Sequence, residues 1–191
     1  MSTPTNPNPC GQYLNDTDYL LHMIPHHQVA VDISIEMQKK SHNPIMQNIL
    51  RKLIWTQTRE IIIMKSFLKK LPDNISNNKY KSNKRYISSV LDFTKLASDP
   101  NAECNPEFFD PALHKKHMSH MKLDEKMYLQ HMIPHHQVAV DMSKTLLKYT
   151  NNDFMVQFSY GIIRSQQVEI NYMNNLLQNL QGWSWNSQLI N

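Results

Sequence analysis

Histidine and methionine recur in this chain at spacings that could hold a metal ion. The stretch from His22 to Asp32 reads HMIPHHQVAVD, and the stretch from His131 to Asp141 repeats all eleven residues at an offset of 109. The correspondence continues downstream, where Gln57, Glu60, Ile61 and Met64 fall on Gln166, Glu169, Ile170 and Met173 at the same offset. Imidazole suits copper, zinc, nickel and iron, whereas thioether favours Cu(I) over zinc or magnesium. Their combination in one motif makes copper the expected ion, with zinc, iron and nickel as alternatives. The ligand candidates are His22, Met23, His26, His27 and Met64 in the first copy, and His131, Met132, His135, His136, Met142 and Met173 in the second. Gln57, Glu60, Gln166 and Glu169 could ligate directly or orient imidazole rings from behind.

Helices must position these residues. Asp16-Thr17-Asp18 is an N-cap cluster, and the apolar pattern that follows runs to about Lys40. Ser41-His42-Asn43 then breaks it and places Pro44 at a first helical position, with the second helix running to Leu71 before Pro72. In the second copy Asp124 is the candidate cap, Thr150-Asn151-Asn152-Asp153 the break and Gly182 the stop. One hairpin cannot cover its own apolar stripe, so two hairpins related by a pseudo-twofold predict an all-α four-helix bundle. The chain divides into a disordered N-terminal tail over 1–15, a first hairpin over 16–71, a linker over 72–123 and a second hairpin over 124–182, the hairpins forming one domain. Within the linker, Arg85 to Ala97 reads as a short helix. Asp110-Pro111 opens another, whose pattern is compatible with an unbroken run into the second repeat.

On a wheel of about 100° per residue, Gln57 and Glu60 fall in the middle of an apolar arc that includes Met46, Leu50, Leu53, Ile61 and Met64. Gln166 and Glu169 do the same in the second copy. A buried carboxylate is costly unless it is paired or hydrogen-bonded, so each glutamate demands a partner inside the bundle. His22 and His26 share a face with Val29, Ile33 and Met37, while Met23 and His27 form a parallel row, so these histidines are expected to point inward. Gln28, Asp32, Glu36 and Lys39 form a polar stripe toward solvent, which argues against Asp32 and Asp141 as ligands. Pro25 and Pro134 each remove a helical hydrogen bond beside the histidines, and a kink kept in both copies suits the shaping of a site. A lone histidine on an apolar face is more often a core residue than a ligand, but a His-His pair present on both hairpins favours metal. Met37, Met46 and Met155 read as core filler. His114, His117, Met118, His120 and Met121 form a further possible metal cluster in the linker.

Composition narrows the alternatives. With 191 residues the chain can bury a core of ordinary domain size. Three glycines exclude collagen and glycine-rich phosphate loops. The formal charge of +4 comes from scattered Lys and Arg, apart from a loose group between Lys65 and Arg85, which disfavours nucleic acid as a partner. No apolar run is long enough to span a membrane, and Met1 to Gln12 lacks the features of a signal peptide. The residues leave localisation undefined. Cys10 and Cys104 lie far apart without a CxxC, so a thiolate zinc site and a redox motif are not indicated, and their pairing is left open.

The pattern MIPHHxxAVxM followed by QxxEIxxM resembles the bacterial "domain of unknown function 305" family. The likeness rests on Met23 to His27, Ala30-Val31, Gln57, Glu60-Ile61 and Met64, and on Met132 to His136, Ala139-Val140, Met142, Gln166, Glu169-Ile170 and Met173. It implies a ferritin-like helical bundle that binds metal, with copper binding and tolerance in the periplasm or cell exterior for some members. Ile33 stands where the family pattern has Met, and the family's usual export signal is missing from this sequence.

The combined expectation is a copper-binding bundle for sequestration, transport or delivery, with His26, His27, His135 and His136 as principal ligands. Its partners would be the metal ion and, as a further option, a second copy of the chain. Catalysis is not indicated, because no nucleophile–base constellation can be assembled. Two rivals stand beside this reading: a copper or iron oxidase on the same bundle, and a structural or interaction bundle without metal. The di-iron carboxylate pattern is disfavoured, since its Glu-x-x-His motif is absent.

Overall fold

The computed structural model describes residues 3–71, 104–120 and 122–186, the last six by backbone alone. Its elements are α1 (Asp16–Lys40), α2 (Pro44–Leu68), a single 3-10 turn (Pro106–Phe109), α3 (Pro111–Met118), α4 (Glu125–Leu147) and α5 (Asp153–Asn186). All are helical, in agreement with the sequence, and among the described residues none is long and apolar enough to cross a membrane.

Local sequence chemistry sets the helix starts. Asn15, one residue before the expected cap cluster, accepts from Asp18 N at 2.7 Å and leaves Asp16 and Asp18 in the first turn. There they oppose the positive end of the helix dipole. Asn43 and Asn152 cap α2 and α5 by accepting from the backbone N–H groups two and three residues on. Asp124 caps α4 through Met127 N at 2.8 Å. Asn43→Ala and Asn152→Ala are each expected to cost about 1 kcal/mol, the usual worth of an N-cap. Equilibrium urea unfolding would show both, and an unchanged midpoint in either variant would remove that cap from the stability account.

α1 packs along α2 and α4 along α5, while α1 and α4 cross between the hairpins. Apolar clusters then join all four long helices: Met23, Ile61, Met142 and Ile162 share one, and Leu50, Leu53, Met132 and Met173 another. Across the α1–α4 crossing the hydroxyl of Tyr19 meets Ser143 Oγ at 2.8 Å, and that of Tyr128 meets Ser34 Oγ at 2.7 Å. These two contacts are reciprocal at the offset of 109. Burial raises both phenols above their ordinary range, so they remain neutral hydrogen-bonding groups.

Four expectations need correction. α3 stops at Met118 instead of running into α4, because Asp124 takes an extended conformation to cap the next helix and Ser119 closes the previous one. α2 ends at Leu68, three residues early, and α5 continues through Gly182 to Asn186. A single glycine weakens a helix by only about 1 kcal/mol and does not by itself end it. Residues 3–15 are not a loose tail. The Asp18 carboxylate binds Thr5 N at 2.6 Å, Thr5 Oγ1 at 2.7 Å and Asn6 N at 3.2 Å, Leu14 is buried in the core, and Cys10 forms a disulfide with Cys104. The short helix expected over 85–97 lies outside the described residues.

Candidate metal centre

The apolar face of α1 turns His26 and His27 into the bundle, and α4 does the same with His135 and His136; all four rings are fully buried. Pro25 and Pro134 sit within helices that continue past them. At the α1–α4 crossing the rings of His26 and His135 stack with centroids 3.7 Å apart and planes 32° from parallel. Neither ring has a hydrogen-bond partner at either nitrogen among the described residues. Burial, reinforced by neighbouring imidazoles, holds both well below the ordinary histidine range, so both are neutral near pH 7.

The two glutamates, Glu169 buried and Glu60 partly so, find the partners that their position demands. His27 Nε2 donates to Glu60 Oε2 at 3.0 Å, and His136 Nε2 donates to Glu169 Oε2 at 2.9 Å. An ionised carboxylate can only accept, so each ring carries a proton on the Nε2 that faces it. Both Nδ1 atoms are buried without a partner, as are the side-chain amides of Gln57 and Gln166 and the second oxygen of Glu169. Each such group costs about 1–3 kcal/mol if nothing answers it. The His27 and His136 rings lie with centroids 6.1 and 6.2 Å from those of the stacked His26 and His135, and unanswered imidazole nitrogens in this number are donors that a soft cation could use.

The methionines line the same interior. Met23, Met64, Met132 and Met173 are fully buried and Met142 nearly so, divided between the two clusters that join the hairpins. They place thioethers in the core packing that joins the two hairpins. Among the described residues no three His, Cys, Asp and Glu side chains are gathered into one coordination sphere.

The outer histidines of the two motifs behave differently from the inner pairs and from each other. His22 Nε2 donates to the Asn6 carbonyl at 2.8 Å, which closes the first copy with the N-terminal segment. His131 Nε2 instead faces His114 Nε2 at 3.2 Å. The linker cluster is not assembled as expected. His114 turns inward, His117 is exposed and binds Glu107 at 2.7 Å, Met118 packs on the core, His120 is exposed, and Met121 lies outside the described residues. Asp32 and Asp141 accept from Gln28 and Gln137 of their own helices.

Two residues absent from the sequence-based candidates shape the site. Phe108 lies against His26, His131 and His135, with centroids 6.3, 5.2 and 4.9 Å away, and Phe109 lies 5.1 Å from His26. The 3-10 turn thus caps the imidazoles with two aromatic rings, Phe108 in edge-on contacts and Phe109 tilted against His26. Nothing local in the sequence ties this turn to the histidines.

The family described as a domain of unknown function, DUF305, matches residues 16–177, which takes in both hairpins and the segment between them. The chain belongs to the DUF305 family. A curated relative, "Uncharacterized protein L153" of Acanthamoeba polyphaga mimivirus, is 47% identical over 55 residues, a match covering 29% of this chain and 36% of that protein. The chain thus spans about a third of that relative's length. Among solved structures, CopM in its Cu(II)-bound form is similar with a TM-score of 0.62 at 26% identity, covering 88% of this chain and 99% of CopM. CopM in its Cu(I)-bound form is similar with a TM-score of 0.58 at 26% identity, covering 87% and 98%. A DUF305 fragment from Deinococcus radiodurans shares the fold at 19% identity, with a TM-score of 0.58 over 93% of this chain and 99% of the fragment. The helical-bundle fold expected from the sequence is therefore a DUF305 fold, and its His-Glu pairs sit within the matched region.

Proposed function

We propose that this DUF305 protein binds copper, as Cu(I), in the interior between its hairpins, and that it serves to sequester, transport or deliver the ion. The carrying observation is the stacked His26–His135 pair, four buried ring nitrogens without a hydrogen-bond partner. His27 and His136 would add Nδ1, held in the right tautomer by Glu60 and Glu169, an arrangement that raises ligand basicity and fixes ring orientation. Thioethers from Met23, Met64, Met132, Met142 and Met173 would supply the softness that selects Cu(I) over zinc. The copper carried by CopM, a structural neighbour over most of its length, supports the same choice. His22 and His131 stand at the margin of this centre rather than within it.

The ion is cargo in this reading. A closed, aromatic-capped interior suits retention, and the Cys10–Cys104 disulfide suits a compartment where thiols are oxidised. The disulfide also withdraws both thiols from competition as soft ligands.

Elemental analysis of the purified protein, with competition titration against Cu(I), Cu(II) and Zn(II), tests the proposal on the wild type and on His26→Ala/His135→Ala. The wild type should retain copper and prefer Cu(I). The double variant should lose at least tenfold to a hundredfold in affinity, the loss seen when even the supporting shell of a metal site is removed. Equal copper content in the two proteins would exclude His26 and His135 as ligands.

A further inference from the structure

We propose that His114 and His131 form a second ion site, distinct from the His26–His135 centre: a two-imidazole clamp that receives a soft monovalent cation, Cu(I) or Ag(I), and loads the interior. This rests on the copper reading of the centre, but on separate residues.

The clamp joins α3 to α4. Asp110 caps α3 by accepting from Ala112 N and Leu113 N, both at 3.0 Å, and so fixes where the first turn of that helix points His114. The His114 side chain is 3% exposed, and its Nε2 faces His131 Nε2 at 3.2 Å. Two neutral imidazoles at this separation hold one proton between them, so one nitrogen donates and the other accepts. A linear site needs a metal–nitrogen bond of roughly 2 Å on each side, so a small rotation of His114, with the shared proton transferred to Nδ1 of the donor ring, would admit an ion between the two Nε2 atoms.

Placement argues for loading. A cavity of about 520 Å³ between α1 and α3 is lined by His114, Met118, Asp32 and Glu36. Lys40 and Lys115 also line it and balance the two carboxylates, so the selectivity comes from the Met118 thioether, which favours a soft cation. Behind the clamp the rings continue inward, from His131 to His135 with centroids 6.0 Å apart and from His135 to His26 at 3.7 Å. The first copy has no equivalent path, because His22, the counterpart of His131, gives its Nε2–H to the Asn6 carbonyl. Identical sequence blocks therefore end in different outer contacts, and only the second is built from two metal-competent nitrogens.

Anaerobic titration with Cu(I), and in parallel with Ag(I), separates the clamp from the centre. The wild type, His114→Phe, His114→Gln and His26→Ala/His135→Ala are compared, with circular dichroism confirming the helical fold of each. Both His114 variants should lose one equivalent of ion and load the remaining sites more slowly in stopped-flow mixing, while the double variant keeps the clamp's equivalent. Unchanged stoichiometry and loading rate in both His114 variants would overturn the clamp and leave the central site standing. Loss of an equivalent in the His114 variants, with none lost in the double variant, would uphold the clamp and overturn the centre.

Discussion

Replacing both stacked histidines by leucine should make the metal-free chain more stable. His26 and His135 bury four nitrogens without a hydrogen-bond partner among the described residues, and an unsatisfied buried polar group costs about 1–3 kcal/mol. Leucine removes that penalty at a repacking cost typically below about 1.5 kcal/mol for a swap of similar volume. The expected net gain for His26→Leu/His135→Leu is about 2 kcal/mol or more, read from urea unfolding with chelator at pH 7. The pH dependence should change with it. Burial, and then the nearby rings of His27, His131 and His136, depress both groups well below their ordinary 6.5. Below about pH 6.5 the unfolded chain therefore binds more protons than the native one. Wild-type stability should fall with pH from there, by about 1.4 kcal/mol per pH unit for each ring still neutral in the fold. The leucine variant lacks that part of the slope, although His131, depressed to about 4, retains its share. Copper at a hundredfold excess over the Kd of the central site should stabilise the wild type by about 2.7 kcal/mol through that site, a contribution the variant lacks. A variant less stable than the chelated wild type, with the same acid slope, would identify the rings as structural. Stability sacrificed at two positions for the sake of a ligand is what a binding function would leave in a core.

That tension was readable from the sequence because it is periodic. Gln57 and Glu60 fall within an apolar arc of α2, and a carboxylate there needs a partner, which His27 supplies. The offset of 109 carried the same inference to His136 and Glu169. Caps and breaks at Asn43-Pro44 and Asp124 were legible for the same reason, since a helix end is decided by a few adjacent residues. What escaped were contacts between segments without periodicity. Phe108 and Phe109 belong to one short turn, and no pattern links them to His26 or His135. His114 and His117 share a helical face in sequence terms, yet one turns to His131 and the other to Glu107, because an eight-residue helix is oriented by what it docks against. Asn6 reaches His22 from a segment whose Asn and Pro content reads as disorder. Identical residues at His22 and His131 thus acquire different partners from the non-repeated parts of the chain, which is where repeat reasoning has nothing to say.

The largest stability loss should come from Cys10→Ser/Cys104→Ser. The disulfide spans a sequence separation of 94 residues, with the Cα atoms 6.1 Å apart. A closed loop near 100 residues restricts the unfolded chain by about 4.7 kcal/mol in the chain-entropy account. The native segment has other anchors: Thr5 and Asn6 on the Asp18 carboxylate, the Asn6 carbonyl on His22, and Leu14 in the core. These hold the segment in place without the bond, so the effect should fall on the unfolded state rather than on native packing. A cost of about 4–5 kcal/mol is then expected in urea for the double serine variant, and a similar loss for the wild type with reductant. Hydrogen exchange should still find residues 3–15 protected. A smaller loss, with fast exchange confined to that segment, would mean that the bond mainly pins the segment onto His22. In that case opening the disulfide would expose the outer histidine of the first copy, and reductant should speed copper exchange in the wild type. Unchanged exchange kinetics together with the full stability loss would place the bond's contribution in the unfolded chain and separate it from the metal centre.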